Sequence, residues 1–169
     1  LAFAIAGRSI GGPAKASVIA SAAMGSISGS AIANTVTTGS MSIPMMKKLG
    51  YSPEQAAGTE AAASTGGQIM PPIMGAGAFV MAEFTKTSYG EIVWISLVPA
   101  ILYFISVLMY VHLAAVKGRL SVVGNRTAVL PVLKNGLHFF LPISLITWLL
   151  LENYSPVLVG MSGCCAILL

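Results

Sequence analysis

Two stretches of this sequence carry side chains able to hold a ligand. The first runs Gly25-Ser26-Ile27-Ser28-Gly29-Ser30-Ala31-Ile32-Ala33-Asn34-Thr35-Val36-Thr37-Thr38-Gly39-Ser40, and the second Ser64-Thr65-Gly66-Gly67-Gln68-Ile69-Met70-Pro71-Pro72. Ser28, Ser30, Asn34, Thr35, Ser64, Thr65 and Gln68 offer hydroxyl and amide oxygens without a fixed charge. A neutral cage suits a monovalent cation that must bind and leave in each cycle. It suits a divalent ion poorly, since such sites usually use carboxylates. The chain contains no Asp, which removes paired-aspartate chemistry, including aspartyl proteolysis within a membrane. No His/Cys cluster suggests a transition metal. Cys164 and Cys165 are adjacent in an apolar run and imply neither a disulfide framework nor a metal site. Gly66-Gly67 is too short for a nucleotide loop and no Walker pattern exists. Neither ATP hydrolysis nor an organic cofactor is expected.

The surrounding chain is built for lipid. Of its 169 residues, 56% are hydrophobic and 8% charged, with a mean hydropathy of +0.85. A soluble domain carries about 25% charged residues. Residues 16–46, 61–82, 92–116, 135–151 and 153–169 contain no Asp, Glu, Lys or Arg, and a helix crossing a bilayer needs about 20 mostly apolar residues. The fold class expected is all-α integral membrane. The opening residues lack the basic region of a cleavable signal peptide. A start at Leu1 and an end inside Ala166-Ile167-Leu168-Leu169 read as a piece of a longer multi-pass protein. The net charge of +4 sits between apolar runs, as topology-setting loop charge does, and is not read as a nucleic-acid surface.

Positions of the charges predict the topology. Basic residues group as Arg8 with Lys15, Lys47 with Lys48, and Lys117 with Arg119, Arg126 and Lys134. Glu83–Glu91 holds two Glu against one Lys, and Glu152 stands alone. Cytoplasmic loops collect Lys and Arg. A single crossing by 16–46 would split Lys15 from Lys47 and Lys48, whereas a re-entrant hairpin keeps them together. Then 54–82 crosses outward, 92–116 returns, 117–134 is cytoplasmic, 136–151 exits and a further helix begins near 157. Residues 1–90 form the transport part and 91–169 the transmembrane helices.

Both polar stretches are expected to interrupt helices. The 31 residues of 16–46 would make about 46 Å of straight helix against a hydrocarbon core of about 30 Å, and their middle is rich in poor helix formers. The alternative is one close-packed helix of small residues. In 54–82, Pro71-Pro72 and Gly66-Gly67 should unwind the helix near mid-membrane, unless they mark a plain proline kink. Ser52 and Pro53, with Glu54, suit its N-terminus. Two interruptions within 40 residues point to the binding site of a transporter. Helix 92–116 reads as scaffold, with Pro99 a kink. His112 and His138 are placed at interfaces, Asn135-Gly136 in a turn, and Trp148 and Tyr154 in the outer aromatic belt. Glu60 is a possible coupling group, but the end of its helix favours a solvated or structural role.

Taken together these features describe an ion-coupled secondary transporter. The run Gly25–Thr35, followed by Gly50-Tyr51-Ser52-Pro53 and Ala62-Ala63-Ser64-Thr65-Gly66-Gly67-Gln68-Ile69-Met70-Pro71-Pro72, resembles the large membrane subunit of tripartite ATP-independent periplasmic (TRAP) transporters. The likeness is greatest to fused permeases that work with TAXI-type binding proteins. It is specific through Lys15–Phe84 and softer from Glu91 to Tyr154. The resemblance implies a Na+-coupled elevator in the cytoplasmic (inner) membrane of a bacterium or archaeon. Such a carrier imports organic acids, often carboxylates, from a periplasmic binding protein, with a small membrane subunit as second partner. It also implies that Ser28–Thr35 is a hairpin tip and Ser64–Pro72 the matching break. Substrate would then meet Ser28, Ser30, Asn34, Thr35, Gln68 and Pro71, and Na+ would meet Ser28, Asn34, Thr35, Ser64, Thr65 and Gly66. The second inverted repeat and the small-subunit region lie outside this sequence.

Other functions remain open at this point: a Na+/anion carrier that uses no binding protein, an ion channel subunit, an intramembrane enzyme or a structural membrane subunit. A channel would need a filter repeated around a pore, and the two breaks are unlike. An enzyme lacks an Asp pair or a His-Glu metal motif, so the chain is not expected to be one.

Overall fold

The computed structural model describes Ala2, Ala6, residues 9–120 and residues 137–168, the last stretch with side chains over 141–166. Arg8, Arg126, Lys134, the Asn135-Gly136 turn and the side chain of His138 lie outside the described residues. Among the described residues the regular structure is helical throughout, without a strand. Helix α1 spans Gly12–Ser28 and α2 spans Ala31–Lys48, joined only by Gly29 and Ser30. Pro13 lies in the first turn of α1, where its missing N–H costs nothing. Gly29 ends that helix in the left-handed region at φ 60°, and its N–H donates to the Gly25 carbonyl at 2.9 Å. Ser30 caps α2, its hydroxyl accepting from the Ala33 N–H at 3.3 Å. Lys47 and Lys48 fill the last turn of α2, complementing the helix dipole.

The two helices run antiparallel. The Ser21 and Thr38 hydroxyls meet at 3.1 Å, and Ser17 and Ser42, one turn further from the tip, reach the same carboxylate. Lys15 therefore lies toward the end of the hairpin where Lys47 and Lys48 lie. Irregular backbone is narrower than the composition of residues 25–40 predicts: only Gly29 and Ser30 leave the helix. Thr35, Thr37 and Thr38 donate to the carbonyls of Ala31, Ala33 and Asn34, at 2.9, 2.7 and 2.8 Å. Their hydroxyls are satisfied within the turn before them and need not unwind it.

Helix α3, Pro53–Gly66, opens with a capping box: the Gln55 N–H donates to Ser52 Oγ at 3.2 Å and the Ser52 N–H to Gln55 Oε1 at 3.3 Å. Replacing Ser52 with Ala is expected to lower stability by about 1 kcal/mol, read as a lower unfolding temperature in detergent. After α3 come a one-turn 3-10 helix, Gly67–Ile69, and irregular chain that includes a cis Pro71-Pro72 peptide. Helix α4, Ala76–Thr85, follows. The break begins at Gly67 and not at Ser64 as the sequence predicts. Ser64 and Thr65 stay helical because each hydroxyl is used on α3, Thr65 on the Ala61 carbonyl at 2.7 Å and Ser64 on the Glu60 carboxylate at 3.1 Å.

Helix α5, Tyr89–Lys117, is the one helix among the described residues long and apolar enough to cross a membrane, with a mean hydropathy of 2.4. Ser88 and Glu91 form its capping box. Trp94, Val98, Leu102, Ile105 and Met109 recur along α5 as exposed residues, a stripe suited to an apolar surround. The remaining helices are the short apolar α6, Leu137–Leu151, and α7, Pro156–Leu168. Two cores hold the molecule together. Ala14, Val18, Met46, Ala56, Ala63, Phe104, Val111 and Ala115 join the hairpin to α3 and α5, their small residues letting helices approach closely. Met74, Tyr89, Ile92, Leu150 and Val159 tie the break to α5, α6 and α7.

Candidate functional site

The tip of the α1–α2 hairpin is seated in the break between α3 and α4. Backbone meets backbone here, since a Cβ on Gly25 would lie 2.2 Å from the Gly67 Cα, and one on Gly67 2.6 Å from the Gly25 Cα. Further along, the Ile73 N–H donates to the Ser26 carbonyl at 3.2 Å. A Cβ on Gly29 would fall 1.9 Å from the Met74 carbonyl oxygen, so the tip admits no side chain. The break is held open by its own bonds: the Gly75 N–H donates to the Gln68 carbonyl at 2.8 Å, and the Tyr89 hydroxyl reaches the carbonyls of Pro72 and Ile73. Phe79 stacks on Tyr89, ring centroids 4.6 Å apart.

Beside this crossing lies a cavity of about 570 Å³ lined by Gly29, Ser30, Gln68, Gly75, Ala76 and Ser96, among others. Two helices begin at its wall, α2 after Ser30 and α4 after Gly75. First-turn N–H groups lack partners within their own helix, and the N-terminus carries a partial positive charge. Ser30 caps one of these ends, and Gly75 has no side chain with which to cap the other. The cavity thus joins two weakly positive helix ends to one amide and two serine hydroxyls, a lining with chemistry for a small anion. A larger cavity of about 640 Å³, between Glu83–Tyr89 and Asn153–Pro156, has no wall from the hairpin.

The residues singled out from sequence divide between this cavity and the helix interfaces. Ser30 and Gln68 line the cavity. Ser28 ends α1, its Oγ accepting from the Ser30 N–H at 3.4 Å, and Pro71 lies within the break. Asn34 is fully buried behind the tip, donating through Nδ2 to the Ser21 carbonyl at 2.8 Å. Thr35 and Thr65 bond back to their own helices. Gly66 lies under Tyr103, whose ring would be 2.3 Å from a Cβ there and whose hydroxyl donates to the Ala62 carbonyl at 2.8 Å. Ser64 is buried and turned away from the break.

What Ser64 reaches is Glu60, and here the solvated reading of that residue is overturned. Glu60 is fully buried. Its Oε1 accepts from Ser21 at 3.0 Å, from Ser64 at 3.1 Å and from Thr38, and its Oε2 accepts from Ser17 and Ser42. Five hydroxyls from α1, α2 and α3 so enclose one carboxylate. Gly39 leaves room for it, since a Cβ there would come within 3.1 Å of the Glu60 Cγ. No Lys or Arg among the described residues lies within 4.0 Å of it; the ion pair found there is Lys86–Glu83, exposed at 2.9 Å. The signal was present in the sequence as Ser17/Ser21, Thr38/Ser42 and Glu60/Ser64, each pair spaced by four and hence on one helix face. His112 also has a specific contact, its Nδ1 lying 3.0 Å from Lys15 Nζ, which also donates to Ser9 Oγ at 3.2 Å.

Comparison with known proteins adds the family. A stretch of 62 residues is 39% identical to the uncharacterized protein y4mL of Sinorhizobium fredii (strain NBRC 101917 / NGR234), covering 37% of this chain and 15% of that protein. No solved structure matches the chain. The whole of residues 1–169 matches the family described as tripartite ATP-independent periplasmic transporter, DctM component. With its apolar helices and broken, hairpin-seated core, the chain belongs to this family of membrane transporter components.

Proposed function

We propose that this chain supplies one half of the translocation site of a Na+-coupled importer of organic acids, taking carboxylates from a periplasmic binding protein beside a small membrane subunit. The observation that carries this reading is the pair of helix N-termini, α2 at Ser30 and α4 at Gly75, meeting at one cavity next to Gln68. Helix ends of this kind suit an anionic group where a fixed Lys or Arg would hold it too tightly for release. Na+ is assigned to neutral oxygens of the tip and of the last turn of α3, drawn from Ser28, Asn34, Thr35, Ser64, Thr65 and Gly66, with substrate on Ser28, Ser30, Asn34, Thr35, Gln68 and Pro71. On this reading the α1–α2 hairpin is re-entrant in a cytoplasmic membrane. It moves with α3 and α4 as one elevator body, and the permease is of the fused type that serves TAXI binding proteins.

Reconstituted uptake tests the reading. With the binding protein present, an inward Na+ gradient is expected to drive accumulation of a small carboxylate, and Asn34→Ala or Thr65→Ala to reduce it at least tenfold with unchanged membrane expression. Ser30→Ala is expected to raise the substrate KM by about threefold to tenfold, the equivalent of about 0.7–1.4 kcal/mol for one hydrogen bond. Uptake of ordinary Na+ dependence in both Asn34→Ala and Thr65→Ala would refute the ion assignment. Accumulation without the binding protein would refute the binding-protein partner.

A further inference from the structure

We infer that the Glu60 carboxylate is the fixed negative charge that sets cation affinity at the adjoining hairpin–break crossing, and that Glu60 is a positioning residue for ion coupling. The inference rests on the Na+-coupled reading above and names a residue for it that holds neither ion nor substrate. Its first support is a buried carboxylate with no cationic partner among the described residues. Five hydroxyl dipoles solvate the buried carboxylate, but dipoles do not cancel a charge. Among the described residues no Lys or Arg lies within 4.0 Å of it: the Lys15 ammonium contacts His112 and Ser9, Tyr103 donates to the Ala62 carbonyl, and Lys47, Lys48, Glu54 and Lys117 are exposed. A carboxylate buried within a membrane component with no cationic partner among the described residues is a functional group by default.

The second support is continuity with the crossing. Ser64 donates to Glu60 and sits two residues before the helix-terminal Gly66. The Thr38 hydroxyl shares its one proton between Glu60 and the Asn34 carbonyl, the latter at 2.8 Å, and Asn34 in turn donates to the carbonyl of Ser21, whose hydroxyl reaches Glu60. Cation oxygens of the tip and break thus lie about one and a half to two helix turns from the charge, roughly 8–11 Å by helix rise. At an effective dielectric of about 20, one unit charge at that range changes cation affinity by roughly tenfold to thirtyfold. The third support is packing: the hydroxyls close directly on the carboxylate, and Glu60 lines neither of the two cavities described. The cation belongs beside the cage and not inside it.

Binding of radioactive Na+ to the complete purified transporter, in choline-balanced buffer without substrate, tests this. Wild type is expected to bind saturably, Glu60→Gln to raise the Na+ Kd about tenfold to thirtyfold, and Glu60→Asp to stay within about threefold of wild type. Ser42→Ala removes one cage bond and keeps the charge, so its Na+ Kd is expected to stay within about threefold even where its unfolding temperature falls. Equal Na+ affinity in Glu60→Gln and wild type would overturn the inference, as would a Ser42→Ala loss as large as that of Glu60→Gln, which would make the cage a brace alone. Absence of saturable Na+ binding by wild type would instead overturn the Na+-coupled reading, and the inference with it.

Discussion

Replacing Gly67 with Ala is expected to abolish transport, and Gly25→Ala to do the same, because each methyl group has to occupy space held by the other glycine's backbone. The clash is with backbone atoms, at 2.6 Å and 2.2 Å from the facing Cα, so no rotamer change relieves it. Either the hairpin lifts off the break or the break shifts. Overpacking a well-filled interior costs typically 1–3 kcal/mol, and here the displaced groups are those that form the cavity wall. Asn34 Nδ2 would also lie 3.1–3.2 Å from either new methyl, so the bond to Ser21 is disturbed as well. The expected result is an expressed, membrane-inserted protein with uptake below about 1% of wild type and an unfolding temperature lowered by several degrees. Gly58→Ala in α3 is the contrasting variant. Nothing lies within 4 Å of a Cβ there, and an interior helical Gly→Ala change stabilises by about 0.5–1 kcal/mol. Similar losses at Gly58 and Gly67 would show that helix flexibility, not the crossing, is what transport requires.

The sequence was most legible where physics is local. Ser52-Pro53 marks a helix start by capping chemistry, whereas Ser88 and the Gly29-Ser30 turn follow the same local rules but were not singled out from the sequence. Extents were less legible. Composition alone suggested irregular chain from Gly25 to Ser40 and from Ser64 onward. A Ser or Thr hydroxyl can either compete with the helix or fold back on it, and Thr35, Thr37, Thr38 and Thr65 do the latter. Which of these a hydroxyl does depends on what faces it. Glu60 shows the same gap more sharply. Its place near the start of the expected helix 54–82 suggested solvent, while the polar pairs at spacing four on α1 and α2 defined faces without saying that those faces meet. Only the hairpin's antiparallel register brings Ser17, Ser21, Thr38 and Ser42 to one point, and that register follows from a two-residue turn whose length the sequence left open.

Glu60→Ala is expected to be the most destabilising single change in the hairpin–α3 body, lowering stability by about 2–4 kcal/mol in Na+-free buffer. Removing the side chain relieves the cost of burying a charge, which by itself would stabilise the protein. Against that stand four serine hydrogen bonds to a charged acceptor and one shared by Thr38 with the Asn34 carbonyl, a full bond being worth about 1.5–3 kcal/mol, and a void among three helices whose cost scales at about 24 cal/mol per Å³. The hydroxyls can recover part of the loss by turning to carbonyls four residues back, as their neighbours on α2 do, so the sum of five bonds is an upper bound. Glu60→Gln keeps the volume and an acceptor oxygen, and its amide N–H groups can donate to hydroxyl oxygens once those rotate. Its loss is expected to stay below about 1.5 kcal/mol. The ordering Ala below Gln below wild type in unfolding temperature is the result to look for. The opposite ordering of the two variants would mean that volume and hydrogen bonding at Glu60 do not bind α1, α2 and α3 together, since Gln preserves both and Ala neither.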